Sequence, residues 1–229
     1  KVTLECGGKN PAVVLSDAVH LDAVAEHVVN ACFWNMGQNC TSNSRLIVHR
    51  DVKEELLQRI LVKVREWRTG DPLEPSNRLG SMVSKGHFEQ VMGYIDCGRK
   101  EKAKLVLGGE SLDEGSGLFI PPTIFDGVTA EMSIAREEIF GPVLAVMSFR
   151  TPEEALARAN NTPYGLSGGV WTDKGAKIFK MTQSVRAGVV WANTFNKFDP
   201  ASPFGGYKES GVGREGGLHG LDAYLDLGA

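Results

Sequence analysis

Apolar residues recur along the chain with two alternating spacings. Five short, continuous apolar runs predict buried β-strands: 11–15, 45–49, 104–107, 143–149 and 188–191. Five other stretches have apolar residues three and four positions apart and predict amphipathic helices: 21–32, 56–67, 88–98, 152–160 and 174–184. Fully apolar strands that alternate with helices are typical of a parallel sheet covered by helices. The pattern therefore predicts an α/β fold.

The ends of the first two helices have recognisable signals. Ser16 and Asp17 precede the first apolar stripe, and such side chains often cap a helix N-terminus. Gly70-Asp71-Pro72 follows Trp67 and is expected to stop the second helix. The stretch between the strands at 104–107 and 143–149 is rich in glycine and proline, so we expect an irregular excursion there.

The last thirty residues, from Asp199 onward, have no periodicity and contain much of the glycine. Gly211-Val212-Gly213-Arg214-Glu215-Gly216 matches the G-x-G-x-x-G dinucleotide pattern. That pattern has meaning only after a strand, before a helix, and with an acidic residue about 20 positions on. Residues 206–210 do not resemble a strand, and the acidic position would fall beyond residue 229. We therefore reject a dinucleotide site here.

Composition narrows the classes of function. The chain has 25 basic and 28 acidic residues, and this weakly acidic balance gives no reason to expect nucleic acid or an anionic membrane as partner. No apolar run approaches the length needed to span a bilayer. The four cysteines and five histidines lack the spacing of a metal site or a disulfide scaffold, so no metal is predicted and a reducing cytoplasm is the expected location.

Three segments could carry chemistry. Cys40 lies in a polar loop between a helix and a strand, where a thiol can be a nucleophile, although a packed free cysteine is the simpler interpretation. Glu5 is followed by Cys6-Gly7-Gly8 and could be a general base with a raised pKa, or it could cap a turn with Lys9 as partner. Glu137 and Glu138 could bind the hydroxyls of a ligand or lie on a solvated turn.

Five segments, taken together and in order, resemble the aldehyde dehydrogenase superfamily: Leu-Glu-Cys-Gly-Gly-Lys (4–9), Gly-Gln-Asn-Cys (37–40), Glu-Glu-Ile-Phe-Gly-Pro-Val (137–143), Asn-Asn-Thr-Pro-Tyr-Gly-Leu (160–166) and Pro-Phe-Gly-Gly-Tyr-Lys (203–208). The resemblance covers essentially all 229 residues, but only the C-terminal half of a full-length member. It implies the catalytic domain of that fold, with the Rossmann-type cofactor domain largely missing. The implied division is 1–9 as the end of the cofactor-binding domain, 10–198 as the catalytic (thiol) domain, and 199–229 as a loop and helix returning to the cofactor domain.

The resemblance also implies roles for individual residues. Cys40 would attack the aldehyde to form a thiohemiacetal and then a thioester, and its backbone N–H would supply half of an oxyanion hole. Glu5 would activate the water that hydrolyses the thioester. The residues implied to bind the cofactor, NAD or NADP, are Glu138 at the nicotinamide ribose, Phe140 against the nicotinamide, and Gly7. Trp34, Phe198 and Phe204 would line the substrate tunnel, and Glu215 would lie on a proton path.

The implied function is oxidation of a small-molecule aldehyde to a carboxylic acid, as the catalytic part of a longer, homo-oligomeric enzyme. The isolated chain is expected to be inactive without the N-terminal half. Ser42 departs from the family, which usually has a small residue such as alanine there, and this affects loop packing more than chemistry. Two alternatives stay open: a thiol esterase or hydrolase that needs no cofactor, and a structural fragment with no turnover.

Overall fold

A seven-stranded β-sheet organises the fold in a computed structural model that describes residues 1–112 and 117–225. The strands, in chain order, are β1 (Leu4–Glu5), β2 (Pro11–Val14), β3 (Arg45–His49), β4 (Arg68–Thr69), β5 (Asn77–Leu79), β6 (Lys104–Leu107), β7 (Thr123–Asp126), β8 (Val143–Phe149), β9 (Tyr164–Gly165), β10 (Ser167–Trp171), β11 (Val189–Ala192), β12 (Tyr207–Lys208) and β13 (Gly211–Val212). The α-helices are α1 (Leu21–Phe33), α2 (Arg50–Val64), α3 (Lys85–Lys100), α4 (Ser133–Arg136), α5 (Pro152–Asn160) and α6 (Gly175–Ser184).

The large sheet has the strand order β11-β10-β2-β3-β8-β7-β6. Every neighbouring pair is parallel except β6 and β7, which run antiparallel. The predicted helix-covered, mainly parallel sheet is therefore confirmed, with one antiparallel strand at its edge. Within the described residues, no helix combines the length and the apolar character that crossing a bilayer would require.

Alternate residues of the central strands point into two separate hydrophobic cores. Ala12, Val14 and Leu46 pack with α1 and α2 on one face of the sheet. Val13 and Ile47 pack on the other face with residues of α3, α5 and α6. Both faces of a parallel strand are thus buried, which explains why these strands appear in the sequence as continuous apolar runs.

Two strands of the large sheet were not expected from the sequence. β10 has the sequence Ser-Gly-Gly-Val-Trp, and its two glycines interrupt any apolar run, although the strand is completely buried. β7 lies inside the stretch that we expected to be an irregular excursion, and it pairs with both β8 and β6. Both strands form by pairing with strands distant in the sequence, and a local sequence pattern holds no information about such partners.

The expected ends of the first two helices are wrong. Helix α1 begins at Leu21, and no side chain caps its N-terminus. The carboxylate of Asp17 instead accepts hydrogen bonds from Thr172 and Lys177, which join it to the end of β10 and to α6. Helix α2 ends at Val64, so Trp67 lies beyond it, beneath the guanidinium of Arg78.

The two ends of the described chain lie against each other. Strand β1 pairs with β13, and the backbone N–H of Cys6 donates to the carbonyl of Ser210 at 2.8 Å. Strand β12 pairs with β9, and a 3₁₀ helix follows at His219–Ala223. The rejected G-x-G-x-x-G segment therefore forms β13 and a turn rather than a phosphate-binding loop. Residues 226–229 of the expected C-terminal segment lie outside the described residues.

The segments with candidate chemistry all precede strands of the large sheet. Residues 7–9 precede β2, Cys40 precedes β3, and residues 138–140 precede β8. Strands β2, β3 and β8 are parallel neighbours, so their amino ends meet at one edge of the sheet. Ligands of open α/β sheets usually bind at the carboxyl edge. This chain gathers its candidate residues at the opposite one.

The amino edge is crowded at Gly37, so a substitution there should be costly. Gly37 has φ +68°, and a Cβ on it would meet the carbonyl oxygen of Gly141 at 2.2 Å. We expect Gly37→Ala to lower the free energy of unfolding by about 1–3 kcal/mol. Gly93→Ala, on the exposed face of α3 with open space around it, should raise stability by about 0.5–1 kcal/mol. Denaturant unfolding measures both, and a Gly37→Ala variant as stable as the wild type would contradict the close approach.

Candidate active site

A buried amide fixes the loop that carries Cys40. The side-chain Nδ2 of Asn10 donates to the backbone carbonyls of Cys40 at 2.8 Å and Ser42 at 2.9 Å. Its Oδ1 accepts from the backbone N–H of Ser167 at 3.0 Å. Asn10 lies next to β2 and Ser167 begins β10, so one side chain connects the cysteine loop to two strands of the sheet. The sequence analysis did not single out Asn10.

The cysteine loop is also held from within. The Oδ1 of Asn39 accepts from the backbone N–H of Thr41 at 3.2 Å and from its hydroxyl at 3.0 Å. Ser42, where the family usually has a smaller residue, is buried, and its hydroxyl donates to the carbonyl of Cys32 at 3.3 Å. Cys32 itself is fully buried at the end of the α1 stripe. The loop therefore accommodates Ser42 through a hydrogen bond.

The thiol of Cys40 lies half-buried in an electronegative setting. Burial raises the pKa of Cys40, and the carboxylates of Glu5 and Glu138 raise it further, because both oppose a second negative charge. Backbone hydrogen bonds from Thr41 and from Cys40 itself act in the opposite direction. Glu5 and Glu138 are therefore close enough to Cys40 to disfavour its thiolate, and these surroundings favour the protonated thiol.

Glu5 lies on β1, exposed, with its backbone held by β13. Although the residue as a whole is exposed, partial desolvation of its carboxyl group and the neighbouring carboxylate of Glu215 raise the pKa of Glu5, whereas the guanidinium of Arg214 lowers it. Glu5, Arg214 and Glu215 line a cavity of about 150 Å³. A carboxyl group with a raised pKa is suited to accept a proton near neutral pH.

The alternative in which Glu5 caps a turn with Lys9 as partner finds no support. Lys9 is buried, and its ammonium has no hydrogen-bond partner among the described residues. Burial, helped by the nearby charge of Arg45, lowers the pKa of Lys9 to about 7. The carboxylates of Glu138 and Glu137 oppose that shift, and Glu5 is not among the groups that affect it.

Glu138 lies directly against the glycine turn that precedes β2. Gly7 has φ +79°, and a Cβ there would come within 2.0 Å of a carboxylate oxygen of Glu138. Burial raises the pKa of Glu138, and a hydrogen bond from the backbone N–H of Gly8 and the charge of Lys9 lower it. The glycine at position 7 is therefore required by the close approach of Glu138. Its neighbour Glu137 points elsewhere and accepts from the hydroxyl of Tyr94 at 2.8 Å.

Phe140 occupies a strained position beside Glu138. It has φ +55°, and 38% of its surface is exposed. His87 Nε2 donates to the carbonyl of Phe140 at 2.7 Å, and the two rings meet edge to face with centroids 5.9 Å apart. An aromatic face is thus presented next to a carboxylate. His87 was also missed by the sequence analysis, because nothing in its local pattern indicates a contact with residue 140.

The three aromatic residues assigned to a substrate tunnel do not form one cluster. Phe198 meets Phe204 with ring centroids 5.2 Å apart, and it also contacts Trp191 at 5.3 Å. Trp34 is half-exposed in the 3₁₀ turn before Cys40, and no ring contact joins it to Phe198 or Phe204 in the part of the chain that the structure describes.

Glu215 is connected to the aromatic pair through the backbone. Its N–H and carbonyl exchange hydrogen bonds of 2.7 Å with those of Phe204, while its carboxylate raises the pKa of Glu5.

Among residues 1–112 and 117–225, no group of three or more potential metal ligands is present. An open groove of about 760 Å³ lies at the carboxyl edge of the sheet and contains none of the candidate residues.

Comparison with known proteins gives consistent matches along the chain. The model of the aldehyde dehydrogenase family matches residues 1–228. The aminoacetaldehyde dehydrogenase of Pseudomonas aeruginosa is 50% identical over 228 residues, which are 99% of this chain and 45% of that protein. The crystal structure of the aldehyde dehydrogenase KauB from Pseudomonas aeruginosa matches with a TM-score of 0.96 at 45% identity, covering 99% of this chain and 46% of that one.

A structure of indole-3-acetaldehyde dehydrogenase in complex with NAD+ gives the same TM-score of 0.96 at 43% identity, again with 99% of this chain and 46% of that chain covered. The chain therefore spans a little under half the length of the relatives it matches.

The charge of Glu5 should have a measurable effect on the pKa of Cys40. Glu5→Gln removes a negative charge that disfavours the thiolate, so we expect the pH midpoint for alkylation of Cys40 by iodoacetamide to shift to lower pH. Mass spectrometry of the Cys40 peptide separates its reaction from that of the exposed Cys6. Glu74→Gln, in the distant β4–β5 connection, is the matched control. A midpoint that stays in place, or moves upward, would show that Glu5 does not act on the thiol.

Loss of the Asn10 amide should weaken the fold. Asn10→Ala leaves two buried carbonyls and one buried N–H without their partner, so we expect a loss of about 2–3 kcal/mol in the free energy of unfolding. Asn30→Ala, on the exposed face of α1, should change it by less than about 0.5 kcal/mol. Urea unfolding compares the two variants, and equal stabilities would contradict the role assigned to Asn10.

Proposed function

Because the chain belongs to the aldehyde dehydrogenase family, we propose that it is the catalytic part of a longer enzyme that oxidises an aldehyde to a carboxylic acid with NAD(P)+. The observation that carries the proposal is that the segment following Glu5 joins the other two groups at the amino edge of the sheet. Gly7 lies against the carboxylate of Glu138, and Gly8 lies against the backbone carbonyl of Cys40. The thiol supplies a nucleophile, and the two carboxylates are available for separate tasks.

The carbon chemistry begins at Cys40. The thiol first releases its proton to solvent. Its sulfur then attacks the aldehyde carbonyl, the carbon–sulfur bond forms, and the carbonyl oxygen becomes the oxyanion of a thiohemiacetal. The backbone N–H of Cys40 is a donor for that oxygen, in a loop already fixed by Asn10. Loss of a hydride from the same carbon leaves a thioester on Cys40.

Hydrolysis of the thioester is the task proposed for Glu5. Its carboxylate takes a proton from water, the water oxygen attacks the thioester carbonyl, and the carbon–sulfur bond breaks to release the acid and the cysteine sulfur. The raised pKa of Glu5 suits proton acceptance near neutral pH. Glu215, whose carboxylate acts on Glu5, lies where the proton can pass to solvent along the cavity that they share.

The residues around Glu138 fit a nicotinamide cofactor, which when bound would accept the hydride. Glu138 provides carboxylate oxygens suited to the hydroxyls of a ribose, and Gly7 leaves open the space that a side chain would fill. Phe140 offers an exposed aromatic face for a planar ring. We propose NAD as the cofactor, in line with the NAD+ complex of the related indole-3-acetaldehyde dehydrogenase.

For the substrate we propose a small aldehyde. Two relatives are named for aminoacetaldehyde and indole-3-acetaldehyde. We propose that Phe198, Phe204 and Trp34 line its path, the first two as a packed pair and Trp34 from the opposite side of Cys40.

In the proposed division of the chain, residues 1–9 and 199–229 belong with the cofactor domain and residues 10–198 form the catalytic domain. The pairing of β1 with β13 supports the first grouping.

A cofactor-independent thiol esterase is the second candidate, since Cys40 and Glu5 alone could cleave an activated ester. The two functions differ in the products that they form. A dehydrogenase produces NADH with each molecule of acid, whereas an esterase produces acid from an ester without any nicotinamide.

We expect the complete gene product to form NADH from a small aldehyde, as measured by NADH absorbance. Cys40→Ala should reduce this rate by at least about 10³-fold, because no other group replaces the nucleophile. Cys32→Ala should retain most of the rate while losing about 1 kcal/mol of stability. Release of acid from esters without NADH formation from any aldehyde would favour the esterase, and absence of both reactions would favour a structural role.

A further inference from the structure

Helix α3 presents one face to the loop that carries Glu138 and Phe140. His87, Val91 and Tyr94 are four and three residues apart, so they lie in one row along the helix. Each contacts a different part of the loop formed by residues 137–141, which we call the glutamate loop.

The first contact, between His87 and Phe140, combines a hydrogen bond with a ring contact. His87 Nε2 donates to the carbonyl of Phe140 at 2.7 Å, and its ring lies edge to face with that of Phe140. Phe140 has φ +55°, a conformation that a residue with a bulky side chain adopts only when its surroundings hold it there. Both the backbone and the ring of Phe140 are thus held by one histidine.

The other two contacts fix the ends of the loop. Val91 packs against Gly141 so closely that a Cβ on Gly141 would meet both Val91 methyl groups at 2.7 Å. The hydroxyl of Tyr94 donates to the carboxylate of Glu137 at 2.8 Å, and burial together with that carboxylate raises the pKa of Tyr94 to about 12. Three positions of the loop, its two ends and Phe140, are therefore held by three consecutive members of the row.

The cysteine loop is attached to the start of the same helix by a separate contact. The backbone N–H of Val83 donates to Oε1 of Gln38 at 3.0 Å, two residues before Cys40. Removal of the His87 contact leaves this bond in place. The glutamate loop can therefore be perturbed at His87 without a direct change at Cys40.

We propose that His87 is a positioning residue that holds Phe140, and with it the glutamate loop, in the conformation that receives the nicotinamide end of the cofactor. The proposal rests on the function proposed above for Glu138 and Phe140. A binding loop that is already held in its bound conformation loses less entropy when the ligand binds, so loss of the His87 contact should weaken cofactor binding.

The test compares three variants of the complete gene product. His87→Ala removes the donor and the ring, and His87→Gln keeps a side-chain N–H. Glu89→Ala is the matched control, because Glu89 is exposed on the same helix with Lys85 at 3.9 Å. Hydrogen exchange of a peptide spanning residues 136–143 reports the loop without any cofactor, since the amides of Glu137 and Val143 are hydrogen-bonded there.

We expect His87→Ala to speed this exchange by at least about threefold and to raise the KM for NAD+ by about fivefold, the loss that one hydrogen bond predicts. His87→Gln should recover part of both effects, and Glu89→Ala should match the wild type. Hydrogen exchange of a peptide from helix α1 should be unchanged in all three variants. A general loss of structure would speed exchange there as well.

Exchange at wild-type rate in His87→Ala would overturn the proposal, and so would faster exchange with an unchanged KM for NAD+. Faster exchange in helix α1 parallel to the rise in KM would overturn it too, by showing a general structural effect. If the wild-type protein formed no NADH from any aldehyde, the proposed function would fail. The exchange data would still decide whether His87 holds the loop.

Discussion

The hydrogen bonds of Asn10 are the interaction on which the arrangement of the site depends. A single buried amide bonds to two carbonyls of the cysteine loop and to one N–H at the start of β10. The bonds to Ser42 and Ser167 are buried and the bond to Cys40 is partly buried, so any other position of the loop would leave at least one buried group unsatisfied. The location of Cys40 is consequently set by the sheet itself. The same sheet edge places Gly7 and Glu138 next to the thiol, because β2, β3 and β8 are parallel neighbours.

The concentration of carboxylates at that edge explains the electrostatic character of the site. Glu5 and Glu138 both act against a thiolate at Cys40, and burial acts in the same direction. A thiol in such surroundings reacts slowly with electrophiles, because little of it is thiolate. Lys9 is buried without a hydrogen-bonded partner among the described residues, and its charge lowers the pKa of Glu138. Within the proposed function, Glu138 and Phe140 would hold a nicotinamide ring whose positive charge would favour the thiolate of Cys40.

The sequence contained enough information for most of the fold and for the identity of the principal residues. The apolar runs at β2, β3 and β8 are long and buried on both faces, so their pattern was unambiguous. Strand β10, with Gly168 and Gly169 at its centre, was invisible to the same method because its assignment depends on the pairing of its backbone with β2 and β11. In the site, the five motifs were sufficient to select Cys40, Glu5 and Glu138. Asn10 and His87 were not found, since their partners lie 30 and 53 residues away and only the folded chain brings them together.

The contact between Gly37 and Gly141 has a consequence for how such chains can diverge. Two loops, distant in sequence, occupy adjoining space so completely that the backbone of one fills the volume in which a side chain of the other would lie. The constraint acts in one direction, because a side chain on Gly141 would meet Val91 rather than the loop of Gly37. A chain that acquired a side chain at position 37 would need a displacement of the backbone at Gly141, and that displacement would move the loop of Glu138 relative to Cys40. We therefore expect position 37 to stay glycine wherever the backbone at position 141 keeps this place, so that one motif limits what the other can accept.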